Sequence, residues 1–595
     1  MSNVSLRPGS ECAWNMAKQR GAEFLAPRGT SSRESMRFRP VLEALEDRRL
    51  MAADFGSQGR DVILEWNAVM LQADANDHAR TSPQQGGPIL ASRAFAIVSA
   101  AMYDAYNSIE KIGEAYLVTA PPTRDANSDA AVAQAAHDTL VALYPAQTST
   151  FDQALKQTLE RIRNGSNEDN GRKVGAFVAE RLLAARADDG SIEIMQPAYV
   201  PNGLAGFHDV DPLHAGQGFY ASGAMNVDPF AISSLEDFPA RQLDDGTPAG
   251  RAAFLQSEEY TRAYEEVMTL GGDGDTTPTE RTAEQTVIGI YWGYDGRPGL
   301  GTPPRLYNQI VRTIADKKDN TEAQNARLFA LVNIAMADAG LAAWNDKYDL
   351  AFWRPILGIR NGDADGNVET TGDADWRPLG APASNPRPGE TDFTPPFPAY
   401  TSGHATFGAA AFQMLARFYH RDDISFRFVS DEFNGKTLDD DGTVRPRIVR
   451  SFDSFTEAKR ENAQSRIYLG IHWAFDRDEG IKQGDAVANS VYETILKPRS
   501  DHHHDHDSHD NQLSAESTGV SNLAASPSGG SKPVLVSSQA HSPATPATAG
   551  SGDVLASPGD GRARSLKSGS KSTGGDSALS GDGEWTAAVD SLFAD

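Results

Sequence analysis

Three segments far apart in the chain carry side chains that together could hold a tetrahedral oxoanion and act on it. They are Lys347-Tyr-Asp-Leu-Ala-Phe-Trp-Arg354-Pro355, Pro396-Phe-Pro-Ala-Tyr-Thr-Ser402-Gly403-His404-Ala405 and Ser465-Arg466-Ile-Tyr-Leu-Gly-Ile-His472-Trp473. Lys347, Arg354 and Arg466 supply three cations, and the planar donor fork of arginine suits tetrahedral oxoanions. Ser402 adds a hydroxyl. Gly403 lets its backbone N–H approach a ligand closely, at a point where a helix begins. Helix N-termini present free N–H groups and a partial positive charge, and so bind anions. His404 and His472 complete the set as ligand, nucleophile or acid–base groups near neutral pH. Each piece alone is unspecific: S-G-H tripeptides occur by chance, and a lone histidine on a helix is usually a packed core residue. The three segments in this order are specific.

The elements that position these groups read as helices. Leu328, Leu331, Val332, Ala335 and Ala339 mark a helix running toward Trp344. A second starts near Gly403 and continues through Phe407, Ala411, Met414 and Phe418, and the last folded helices lie near 456–498. Residues 60–320 are also dominated by steps of three and four. Examples are Phe95, Val98, Met102, Tyr106 and Ile109, and then Val132, Ala136, Leu140 and Leu143. Pro145 and Asn164-Gly-Ser-Asn167 punctuate them. Stretches 189–250 and 361–392 are rich in Gly, Pro, Asp and Asn and read as long loops. Asp363-Ala-Asp-Gly-Asn367 lacks the glutamate that would complete a calcium loop and reads as an acidic turn. Few segments alternate with period two. The expected fold is mainly α: two four-helix-bundle-like units with long loops, an N-terminal helical domain over 56–320 and a catalytic helical domain over 321–499.

The ends differ in composition. Residues 1–55 read as an export-type leader: Leu42 to Ala53 resembles the short leader at the front of some large bacterial surface proteins, although an ordinary secretory h-region is absent. The other reading of this stretch is a plain amphipathic helix. Residues 500–580 open with Asp501-His-His-His-Asp-His-Asp-Ser-His509 and continue Ser-, Gly-, Ala- and Pro-rich, the pattern of a disordered tail. The histidine tract could bind zinc, copper or nickel weakly, or is simply solvated. Residues 581–595 read as a short amphipathic helix with Trp585, Val589, Leu592 and Phe593 on one face. The tail either tethers the chain, for example at the cell surface, or is an unselected extension. These features set the expected location as exported: extracellular, cell-surface or periplasmic.

The 595-residue chain carries a net charge of −26, which repels nucleic acid and anionic lipid. No apolar run approaches the roughly eighteen residues of a membrane span. The single cysteine, Cys12, excludes an intrachain disulfide, a thiolate metal site and a CxxC redox pair.

Around the cage motifs the chain resembles the vanadium haloperoxidases, within the wider acid phosphatase and haloperoxidase superfamily. The resemblance extends to Ser92-Arg-Ala-Phe-Ala, Ala101 to Asn107, Gly289 to Gly296, Gly301 to Gln309, Leu328 to Asn333 and Arg447 to Asp453. It is closest to the chloroperoxidase branch, spans about 60–498 and excludes both ends. It implies vanadate as cofactor, bonded directly by His472, with its oxygens held by Lys347, Arg354, Ser402, Gly403 and Arg466. It implies His404 as the acid–base group, Lys347 as the group that withdraws charge from peroxide, and hydrogen peroxide, halide and an unknown organic acceptor as substrates. Asp295 would orient an arginine, or is an ordinary turn aspartate. Trp344 and Phe397 would border the halide site and go with chloride oxidation. Thr401 departs from the proline that the family carries before S-G-H. A phosphomonoesterase with His472 as nucleophile and His404 as acid uses the same cage, and stays open on these residues.

Overall fold

The computed structural model describes residues 61–499. The leader, the histidine tract, the tail and the closing helix lie outside the described residues. Those described are mostly helical: α1 (Val62–His78), α2 (Gly87–Glu110), α3 (Ser128–Leu143), α4 (Thr148–Glu160), α5 (Ser166–Ala185), α6 (Pro248–Leu255), α7 (Glu258–Leu270), α8 (Ala283–Tyr291), α9 (Pro303–Lys317), α10 (Glu322–Leu350), α11 (Pro355–Arg360), α12 (Gly403–Tyr419), α13 (Phe455–Tyr468) and α14 (Ala474–Thr494). A hairpin of β1 (Phe426–Asn434) and β2 (Arg447–Phe452) completes the set. The helical periodicity did not foretell this hairpin. It pairs Phe426 with Phe452 and Val429 with Val449.

Helix α10 organises the rest. Thr321 caps it through a capping box with Gln324, and Ala351 ends it in the left-handed region. It packs against α12 and α14, which with α13 make one helical set, and against α2, which packs with α3 and α5 in another, so α10 joins the two sets. The expected boundary at 320 falls in the turn just before this shared helix. Among the described residues α10 alone is long and apolar enough to cross a membrane, but 94% of its most apolar window is buried inside the protein. It is the core helix of both bundles.

Two tight approaches fix the site. Helix α14 meets the start of α12 through Gly480 and Gly484, where a Cβ would stand 2.9 Å from the Ser402 carbonyl and 2.2 Å from that of Thr406. The Ser402 N–H also donates to the Asp476 carbonyl at 3.0 Å, tying the α12 cap to the first turn of α14. Beneath them Tyr260, Phe352, Trp353, Trp473 and Phe475 form a buried aromatic cluster. Each such side chain contributes roughly 1.5–3 kcal/mol by leaving water. The cluster seats the segments that carry Arg354 and His472.

The stretch 186–247 is irregular, as its composition implies, and buried carboxylates on α10 hold it down. Asp338 accepts from the N–H groups of Phe230, Ala231 and Ile232 at 2.6–3.0 Å, and Asp346 accepts from that of Ala240 at 2.9 Å.

Candidate active site

A cavity of about 730 Å³ reaches from the surface to the start of α12. Asp295, Gly403, His404, Arg466 and His472 line its inner end, with Trp344 and Phe397 beside them. Lys347, Arg354 and Ser402 lie just beneath that lining, and all three are fully buried. The fold therefore gathers all three sequence segments in one place.

The donors there are in surplus. Arg354 Nη2 and Arg466 Nε and Nη1 are buried with no protein partner. Stranding such donors costs roughly 1–3 kcal/mol each, and more when they are charged, so the site is built for an acceptor from outside. The guanidinium atoms that do have partners are fixed. Arg354 donates from Nε to the Phe397 carbonyl at 2.8 Å and from Nη1 to the Ile471 carbonyl at 2.8 Å. Arg466 Nη2 donates to Asp295 Oδ1 at 2.7 Å, an ion pair between two buried side chains.

The two histidines have defined tautomers. Arg354 Nη1 lies 2.9 Å from His472 Nε2, and a guanidinium only donates, so Nε2 carries the lone pair. His472 Nδ1 donates to Asp476 Oδ2 at 2.9 Å. That is the orientation a metal-ligating imidazole needs, with a carboxylate behind it. His404 is reversed. Its Nε2 lies 2.7 Å from the Gly293 carbonyl, which only accepts, so Nδ1 carries the lone pair. Tyr307 Oη and Asn462 Nδ2 donate to the His404 carbonyl at 3.0 and 2.8 Å. Burial, with the arginines nearby, holds both rings neutral: His404 is pushed down to about 3, and His472 falls well below the usual range. Burial also raises Asp476, to about 7.

Lys347 Nζ donates to the carbonyls of Pro398, at 2.9 Å, and Ala399, at 3.0 Å, and to that of Thr401. Burial and Arg354 push its pKa down, but three carbonyls around one nitrogen favour the ammonium, the only form with three donors. All three N–H groups are thus spent on the loop before S-G-H. Ser402 caps α12. Thr401, in the proline position, donates from its hydroxyl to Gln483 Oε1 at 3.0 Å.

Trp344 and Phe397 pack with ring centroids 4.7 Å apart. Phe397 lies between two cations, with Lys347 Nζ 5.2 Å and Arg354 Cζ 4.9 Å from its centroid. Tyr220 closes the wall at 6.4 Å from Trp344 and 6.2 Å from Phe397. The sequence reading missed Tyr220, Gly293 and Asp476. Only Asp476 left a signal, the i, i+4 spacing from His472 along the first turn of a helix.

The chain is similar to known proteins. Residues 327–501 match the VCPO second helical-bundle domain. The vanadium chloroperoxidase of Curvularia inaequalis is 35% identical over 489 residues, covering 70% of this chain and 78% of that protein. The chain belongs to the vanadium haloperoxidase family. Solved bacterial structures share its fold. A vanadium-dependent iodoperoxidase superposes with a TM-score of 0.56 at 21% identity, over 73% of this chain and 96% of its own. A holo-type vanadium-dependent chloroperoxidase gives 0.53 at 15%, over 72% and 96%. Among the described residues no group of three or more His, Cys, Asp or Glu side chains could hold a metal ion. For a haloperoxidase of this family the stranded guanidinium donors and the His472 lone pair are the fitting set: one nitrogen ligand, with donors for an anion's oxygens.

Proposed function

We propose that this chain is a vanadate-dependent haloperoxidase that oxidises chloride as well as bromide with hydrogen peroxide, giving hypohalous acid. The observation that carries the proposal is the convergence of the His472 Nε2 lone pair, which a ligand would take over from Arg354 Nη1, with three partnerless guanidinium nitrogens at the inner end of one cavity. Vanadate fits that set. His472 would bond the metal, and Arg354, Arg466, Ser402, the Gly403 N–H and Lys347 would hold the oxygens. For Lys347 this requires giving up one of its carbonyl partners. When bound, vanadate supplies Lewis-acid activation of peroxide without a change of oxidation state.

The chain supplies the rest. Three cations offset the negative charge. His404, locked through Nε2, presents Nδ1 to take a proton from incoming peroxide and return it. A neighbouring anion favours the imidazolium, so the proton is held longest when the cage is filled. Trp344, Phe397 and Tyr220 strip water from the halide and strengthen local electrostatics. The overall reaction balances as X⁻ + H₂O₂ + H⁺ → HOX + H₂O. We also propose that the enzyme works outside the cytoplasm, on the strength of the leader-like residues 1–55; fractionation of cells expressing the whole chain tests it.

Chelator-treated protein should regain halogenation of a dione probe on adding orthovanadate, with inorganic phosphate competing. Peroxidase activity that persists without vanadate overturns the proposal. So does phosphate-ester hydrolysis through a phosphohistidine with no halogenation, which would establish the phosphomonoesterase.

A further inference from the structure

We propose that Glu432 is a positioning residue for this reaction: through one peptide group it fixes the side chains of His404 and Arg466 together. The inference rests on the roles assigned above to those two residues. Glu432 lies on β1, outside the helical cage, with no exposed surface. Its Oε2 accepts from Arg445 Nη1 at 2.6 Å and from the Ser384 hydroxyl. Burying such an ion pair costs desolvation that the pairing only about offsets, so it is weak support for stability in itself.

Oε1 has a different task. It accepts from the Tyr294 N–H at 2.9 Å. That N–H and the Gly293 carbonyl belong to one planar trans peptide group, in which they point in opposite directions. Pinning the N–H toward Glu432 therefore aims the carbonyl the other way, where it meets His404 Nε2 at 2.7 Å. The next residue, Asp295, grips Arg466 at 2.7 Å. One carboxylate thus sets both the tautomer of His404 and the direction of Arg466.

The turn does not hold this shape unaided. Tyr294 sits at φ 55°, in the left-handed region that side chains avoid. β1 grips it at further points: the Asp431 N–H donates to Tyr294 Oη at 2.7 Å, the Ser430 hydroxyl to the Tyr291 carbonyl at 2.6 Å, and Tyr291 Oη to the Phe428 carbonyl at 2.6 Å. Gly293 is needed for the approach, because a Cβ there would stand 2.4 Å from Glu432 Oε1. The hairpin is thus a backing plate for the turn between α8 and α9.

The test uses the full chain. Glu432→Leu combined with Arg445→Met removes both charges, so that neither is left buried alone. Gly293→Ala keeps both charges but displaces the carboxylate. Glu432→Gln keeps an acceptor oxygen and serves as the rescue. ¹⁵N-histidine NMR of the vanadate-free protein reads the His404 tautomer, and kcat and KM for peroxide are measured with orthovanadate. In the parent His404 should be protonated at Nε2. In the double variant and in Gly293→Ala this signature should be lost, with kcat down at least about tenfold, less than the roughly 10²–10⁴-fold worth of the acid–base group because the ring itself remains. Glu432→Gln should stay within about threefold of the parent and keep the signature. A folded variant of either kind that keeps the Nε2–H signature and the parent's kcat overturns the proposal, as does a fall in Tm with both readouts unchanged. If the double variant does not fold, Gly293→Ala decides alone. A parent without vanadate-dependent halogenation defeats the proposed function, whereas the NMR readout still decides the positioning.

Discussion

The starts of α12 and α14 each deliver one histidine to the same cage, yet they hold it in opposite ways. At α14, His472 is backed by a carboxylate, Asp476, on Nδ1, and its Nε2 is left as a lone pair. At α12, His404 is backed by a neutral carbonyl, Gly293, on Nε2, and its Nδ1 is left free. A carboxylate raises the basicity of the free nitrogen and suits a metal ligand. A carbonyl fixes the tautomer without adding charge, which leaves the ring free to gain and lose a proton. The backing atoms, more than the histidines themselves, separate a ligand from an acid–base group.

Removing each ring is the strongest way to break this comparison. His472→Ala should abolish measurable orthovanadate binding in equilibrium dialysis. His404→Ala should keep most of the binding but lose about 10²–10⁴-fold in kcat. Equal losses of binding in both variants would show that the two rings are not differentiated. Exchanging the backing is milder. Asp476→Asn should weaken vanadate affinity by about 10–100-fold. An unchanged dissociation constant would mean that Asp476 only caps α14.

Acidification sharpens the comparison through stability. His404, His472 and also His208, a buried histidine behind Arg354, all have folded-state pKa values below that of the free side chain. At these three rings the unfolded chain binds more protons than the folded one between about pH 6.5 and 3. Their contribution to the stability of the vanadate-free protein is fully present above about pH 6.5 and falls as the pH drops through this window. His78 and His137, whose pKa values are raised by aspartates, act in the opposite sense, as do buried carboxylates raised to about 6–7, among them Asp476, Asp392, Asp338 and Asp346, so the rings set only their own part of the slope. Chemical denaturation from pH 7 to pH 4 measures the slope. Orthovanadate should make stability fall less, or rise more, on acidification, because a bound anion favours the imidazolium of His404; a change in the opposite direction would contradict the assignment.

The smallest effects concern the wall and the ends. Phe397→Leu keeps the apolar bulk but removes a ring held between two cations. It should lower the chloride-to-bromide rate ratio by about fivefold, the worth of roughly 1 kcal/mol. An unchanged ratio would detach halide preference from that ring. Truncation after Arg499 should leave vanadate affinity and halogenation within about twofold, since no cage residue lies beyond it. A larger loss would make the tail part of the catalytic body.

By itself the sequence determined the helical class, through steps of three and four. It also named the cage candidates, because K-x6-R-P, S-G-H and R-x5-H are local spacings whose donor chemistry is fixed by residue type. Asp295 was legible only as a candidate, since its arginine lies 171 residues away. The hairpin was missed because β1 alternates in burial but not in residue polarity, with the polar Ser430 and Glu432 at inward positions, and because β2 is mostly half-exposed. Only the tertiary structure decided that the two bundles share α10, that Tyr220 closes the aromatic wall, and that Lys347 spends its donors on three loop carbonyls. It alone showed which nitrogen of each histidine carries the lone pair. The reason is physical: a tautomer is set by whichever acceptor lies across the ring, and a backbone carbonyl such as that of Gly293 has no identity in the sequence until the fold points it at something.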